Sequence, residues 1–134
     1  MNMSTTLNHS RRAINGASGV HLLAGAWLII SPFVLSLSQV PSAMWNNIAC
    51  GIAIAVLAIT RLNAIDHLSW SWAILLLGAW VILSPWALGF AQNGAADLDF
   101  NSELVWNNVI TGAVVAFLAV FSMLGGHAIP PIED

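Results

Sequence analysis

Four long apolar stretches organise the chain, at 13–37, 44–62, 69–90 and 104–124, and short polar segments separate them. Each is long enough to cross a hydrocarbon core of about 30 Å, which takes about 20 helical residues. Period-two alternation is absent, and in lipid the backbone must satisfy its own polar groups, so the stretches predict helices and not barrel strands. None carries Asp, Glu, Lys or Arg in its central part. The expected fold is therefore all-α, a four-helix transmembrane bundle.

The stretches are not independent. Gly25-Ala26-Trp27 with Ser31-Pro32-Phe33 reappears as Gly78-Ala79-Trp80 with Ser84-Pro85-Trp86. Further on, Trp45-Asn46-Asn47 reappears as Trp106-Asn107-Asn108, with Gly51 matching Gly112. The second copy holds eight extra residues in its loop, where insertions are tolerated. A fixed order of motifs in two copies is the mark of an internal repeat. A two-helix unit returns the chain to its starting side, so the copies form tandem hairpins of the same orientation, related by a pseudo-twofold along the membrane normal. The organisation expected is a cytoplasmic N-terminal segment 1–12, a first repeat 13–62, a second repeat 63–124 and a cytoplasmic tail 125–134.

Ser84-Pro85-Trp86, the variant copy Ser31-Pro32-Phe33 and the paired Trp-Asn-Asn starts make the chain resemble the SPW-repeat family over residues 18–124. The resemblance implies a small bacterial membrane protein with the motif on the first helix of each pair. It implies no particular activity, substrate or cofactor.

Charge sets orientation and excludes partners. With 58% hydrophobic and 7% charged residues, the surface must face lipid. A net charge of −3 offers no basic patch, so nucleic acid is not an expected partner. Arg11 and Arg12 precede the first stretch and Arg61 ends the second, while the other two loops lack positive charge. The positive-inside rule then puts both termini in the cytoplasm of a bacterial inner membrane. Ser10-Arg11-Arg12 faintly resembles a twin-arginine export signal, but the run that follows is longer than a signal core and recurs as the third stretch.

The repeated polar residues are the candidates for a site. Proline within a helix removes an amide donor, so Pro32 frees the carbonyl of Leu28 and Pro85 that of Val81. Either the neighbouring hydroxyls of Ser31 and Ser84 or the amides of Asn46, Asn47, Asn107 and Asn108 must answer those carbonyls. The hairpin geometry brings Asn47 and Asn108 to the depth of the broken turns. Two readings stand: a structural staple, or a small polar cavity for a solute. Trp45, Trp70, Trp72 and Trp106 lie at stretch ends and form an interfacial belt. Trp27 and Trp80 fall near mid-membrane and are expected to face the bundle interior, where an indole N–H finds an acceptor. Small residues four apart, Ala49/Ala53, Gly51/Ala55 and Gly112/Ala116, suit close helix approach within the bundle or between two copies.

Isolated residues add little. Cys50 is the single cysteine, so neither an internal disulfide nor a redox pair can form. His21 is the one ionisable group expected within a stretch and the one candidate cofactor ligand, through haem iron or a proton relay. Its repeat counterpart is Ile74, so no second axial histidine is available in the same chain. Asp97, Asp99 and Glu103 resemble the start of a calcium loop, but Ser102 and Asn108 stand where glycine and glutamate are required. Ser102 and Glu103 are instead suited to starting the fourth helix. His9, His67 and His127 fall in loops or termini and receive no role.

No nucleophile–base pair, metal cluster or carboxylate pair is visible, so neither an enzyme nor a cofactor is expected. The sequence points to a non-catalytic accessory, assembly or scaffold protein. Its expected partners are the lipid bilayer and either a second copy or a larger membrane complex. The alternative is a small transporter or channel for a neutral solute, which requires a continuous polar path along Ser31, Ser84, Asn47 and Asn108.

Overall fold

The computed structural model describes residues 2–35, 40–63, 67–89, 91 and 103–126. They form four helices: α1 (Met3–Val34), α2 (Pro41–Asn63), α3 (His67–Ala87) and α4 (Glu103–Gly126). Each contains a segment long and apolar enough to cross a membrane, beginning at Asn15 in α1. Among the described residues there is no strand.

Local chemistry explains the ends. Pro41 opens α2, where its missing N–H costs nothing, and the carbonyl of Val40 accepts from Met44 N–H at 3.1 Å. Glu103 sits in the first turn of α4, a favourable place for a negative charge. Gly89 ends α3 in the left-handed region, φ 72°, donating its N–H to the Trp86 carbonyl at 3.2 Å. α1 begins ten residues before the expected start at residue 13. Residues 3–12 contain neither Pro nor Gly, and extending an existing helix is cheap compared with nucleating one. α1 and α3 each stop three residues short of the expected bounds, since an apolar run marks a helix end only to within a few residues.

α1 packs mainly against α2 and α3 mainly against α4, while the smaller α1–α4 and α2–α3 seams join the two pairs. Within each pair the helices touch backbone to backbone at a reciprocal glycine contact. A Cβ placed on Gly25 would lie 2.7 Å from the Gly51 carbonyl oxygen, and one on Gly51 would lie 2.6 Å from that of Gly25. Gly78 and Gly112 repeat the arrangement at 3.0 and 2.7 Å. Such approach maximises dispersion contact where lipid offers no hydrophobic drive for helix association. Gly51 and Gly112, which the sequence left open between bundle and dimer contacts, are thus spent inside the hairpins. Ala49 faces outward.

The core is a band of fully buried aliphatic side chains: Leu28, Ile54, Ile74, Val81 and Val115, with Ala119 and Cys50 beside them. Polar side chains lie above and below this band.

Candidate functional site

The repeated motifs converge in one polar layer, where the C-terminal turns of α1 and α3 meet the first turns of α2 and α4. Each freed carbonyl is answered from within its own helix. Ser31 Oγ donates to the Leu28 carbonyl at 3.2 Å, and Ser84 Oγ to that of Val81 at 2.9 Å. The proline therefore does not leave an orphan acceptor in lipid. Having donated, each hydroxyl oxygen remains an acceptor, and the asparagine amides use it.

The amides connect opposite pairs as well as neighbours. Asn108 Nδ2 donates to Ser84 Oγ at 3.1 Å within the second hairpin. Asn46 Nδ2 donates to the same oxygen at 3.0 Å from the first hairpin, and Asn107 Nδ2 donates to Ser31 Oγ at 3.3 Å in the reverse sense. Adjacent amides are tied to each other, Asn46 to Asn47 at 3.4 Å and Asn107 to Asn108 at 3.3 Å. A continuous chain thus runs Ser31–Asn107–Asn108–Ser84–Asn46–Asn47 and touches all four helices. It is open at one place. Asn108 has the within-hairpin bond expected of it, whereas Asn47 Nδ2 is buried without a partner.

The two mid-membrane tryptophans extend this layer outward. Trp27 Nε1 donates to Asn107 Oδ1 at 2.8 Å, and Trp80 Nε1 donates to Asn46 Oδ1 at 3.1 Å. The expectation that they face the bundle interior is corrected: they are 42% and 43% exposed. An indole is too large for a centre already filled by Leu28 and Val81. Each ring instead lies along a seam between hairpins, with its N–H turned inward and its apolar faces left to lipid. Asn46 Oδ1 also accepts from Cys50 Sγ at 3.6 Å, which together with burial accounts for the lone thiol as a packing residue. Trp45, Trp72 and Trp106 are exposed at helix ends, Trp70 and Trp86 are half-buried, and Phe33, standing where the second copy has Trp86, is exposed.

A second polar layer lies below the aliphatic band, and sequence reasoning located it only in part. His21 is fully buried and bonds across to α4, Nε2 to the Val115 carbonyl at 3.0 Å, with Nδ1 unpartnered. Arg61 lies in the last turn of α2, at the end of the second stretch where the sequence places it, but it does not reach water. It is fully buried within the α2 span, and its three side-chain nitrogens have no hydrogen-bond partner. The burial has a geometric cause. The Cα–Cβ bond tilts toward the helix N-terminus, so a side chain near the C-terminal end of α2 leans back into the bundle. Arg61 also continues the inward-facing series Asn47, Cys50, Ile54, Ala58. That heptad-like spacing was the available signal. Ser18 and Ser122 are buried in the same half, and their hydroxyls too are unpartnered.

No group of three or more metal-ligating side chains occurs among the described residues, and Asp97, Asp99 and Ser102 lie outside them. His127 and the tail also lie outside them; His9 is exposed.

No curated protein and no solved structure matches the chain. The serine, proline, tryptophan and asparagine positions that build the upper layer fall within the part of the chain, residues 15–122, that matches the model of the SPW repeat domain, and the protein belongs to that family.

Proposed function

We propose that this is a non-catalytic membrane protein that serves as an accessory, assembly or scaffold component, with both termini on the cytoplasmic side of a bacterial inner membrane. The observation that carries the reading is the aliphatic band. Leu28, Ile54 and Val115 are fully buried and lie along α1, α2 and α4 between the residues of the two polar layers. A pathway for a neutral solute requires polar groups or water along its whole length, and the band interrupts it. The upper layer supports the same view. Its hydroxyls and amides are consumed by bonds between helices, leaving Asn47 Nδ2 as the single unpartnered amide nitrogen among the four asparagines. A buried network with all but one of its amide donors paired favours one packing of a bundle.

Native mass spectrometry of the untagged protein, extracted from its own membrane in mild detergent, tests this reading. A stoichiometric foreign subunit is the expected result. A homo-oligomer whose proteoliposomes pass neutral solutes faster than protein-free vesicles would replace the accessory reading with a transport one.

A further inference from the structure

α1 runs on past the bundle. The reciprocal contact of Gly25 with Gly51 sets the register of α1 on α2, and at equal rise per residue the end of α2, Asn63, comes level with residue 13 of α1. The bonds from His21 to Val115 and from Trp27 to Asn107 set α1 against α4 and bring Gly126 level with residues 8–10. By the contact of Gly78 with Gly112, α3 begins level with residue 123 of α4, lower still. The first turns of α1 therefore project beyond the other three helices as an arm. Asn2, Met3, Ser4, Thr5, Asn8, His9 and Arg12 are exposed along it, Met3 at 71%.

The arm carries positive charge with no acid nearby in sequence. The first 65 residues hold all three arginines and neither Asp nor Glu. Of the six acids, Asp97 and Asp99 fall between α3 and α4 and Glu103 opens α4, all toward the far end of the bundle. Asp66 leads into α3, which lies across the bundle from α1. Glu133 and Asp134 follow α4, which adjoins α1. Their segment, 127–134, lies outside the described residues and sets out from Gly126 beside the arm.

The face that meets this segment can be named. His9 stands five helical turns before Trp27, so it lies on the side of α1 from which Trp27 reaches α4, and Arg12 is its neighbour one turn on. Packed helix axes lie about 8–10 Å apart, and eight extended residues reach about 25 Å, so a crossing from α4 to this face leaves slack for a turn. Pro130 and Pro131 restrict the segment and lower the entropy lost on ordering it. Ile129 and Ile132 give it apolar side chains to set against Met3.

We infer that residues 127–134 dock on the His9–Arg12 face of the α1 arm, with the carboxylates of Glu133 and Asp134 paired with Arg12. The segment then acts as a strap that ties the last helix to the first across the α1–α4 seam. An anionic leaflet offers the same charge, but the arm continues the axis of a span and so leads away from the headgroups. A second copy of the arm repeats the positive charge and is repelled. The strap goes beyond the accessory role and does not depend on it.

The chain contains no lysine, which makes a zero-length cross-link selective. In full-length Arg12→Lys, held in uncharged detergent, a carbodiimide activates a carboxylate. The new amine attacks the activated carbonyl and expels the urea, so an amide forms with net loss of water. Peptide mass mapping should find at least about fivefold more amide to Glu133 or Asp134 than from Asn63→Lys, which sets an amine at similar depth on α2. Hydrogen exchange provides a readout without a cross-link. The amides of 127–134 should exchange about threefold or more faster in Arg12→Gln than in wild type, and Glu133→Gln/Asp134→Asn should match it. Amide formed mainly with Asp66, or equally from Asn63→Lys, would overturn the inference. So would amide formed between isotopically distinct chains mixed in detergent, or exchange unchanged in both variants. Loss of the cross-link in phosphatidylglycerol vesicles, with retention in phosphatidylcholine, would assign Arg12 to the leaflet and overturn it as well.

Discussion

Replacing Gly51 by alanine sets a methyl group 2.6 Å from the Gly25 carbonyl oxygen and 3.1 Å from the amide nitrogen of Ile29. Ordinary carbon contacts begin near 3.4 Å. Ile29 Cγ1 stands at 2.8 Å as well, but the other two obstacles are backbone atoms of a packed helix, so relief requires the two helices to part by several tenths of an ångström along their contact. Overpacking of this kind costs about 1–3 kcal/mol. Against it stands the helix propensity of alanine over glycine, about 1 kcal/mol in its favour. Gly19 separates the two terms, because a Cβ there meets nothing within 4 Å. Gly19→Ala should therefore be neutral or stabilising, and Gly51→Ala should be less stable than Gly19→Ala by about 1–3 kcal/mol. Reversible unfolding in mixed micelles, followed by tryptophan fluorescence, measures both. The contact is reciprocal, so Gly25→Ala added to Gly51→Ala should cost less than it does alone, the helices having already separated. Equal stability of Gly51→Ala and Gly19→Ala would refute close backbone approach as the reason for these glycines.

Other consequences follow from the upper layer. Ser84 takes part in three hydrogen bonds and Ser31 in two. At about 0.6 kcal/mol for each bond within a membrane, Ser84→Ala should cost about 2 kcal/mol and exceed Ser31→Ala in the same unfolding assay. Asn46→Leu removes bonds to Ser84, Trp80, Asn47 and Cys50, whereas Asn47→Leu removes one accepted bond and one orphan donor. Unfolding should show the first variant markedly less stable and the second near wild type. Trp80→Phe deletes a single indole bond, so a loss of about 0.6 kcal/mol is expected, and Asn46→Leu/Trp80→Phe should be no less stable than Asn46→Leu by that margin. Cys50, buried and bonded to Asn46, should resist maleimide labelling in the folded bundle and react once it is unfolded.

Much of this architecture is legible in the order of residues. The four spans follow from length and apolarity alone, since a stretch of about 20 apolar residues has few ways to satisfy its backbone in lipid except as a helix. The repeat and the family follow from matched motifs, and the need to answer the carbonyls of Leu28 and Val81 follows from two prolines. Which groups answer them does not, because several candidates stood at the same depth. The serines take the carbonyls, and the asparagines take the serines, in part across hairpins. Only the packing of one hairpin on the other places Trp27 beside Asn107 and Trp80 beside Asn46, far apart in the chain. Arg61 makes the same point most sharply. In sequence it is a charge at the end of a span, and its burial depends on which face α2 turns inward and on the backward tilt of its side chain. Sequence determined which segments enter the membrane, because that is a property of each segment against its solvent. Tertiary structure decided which polar groups meet and which are left without partners, because that depends on the relative rotation and depth of helices that local composition does not encode.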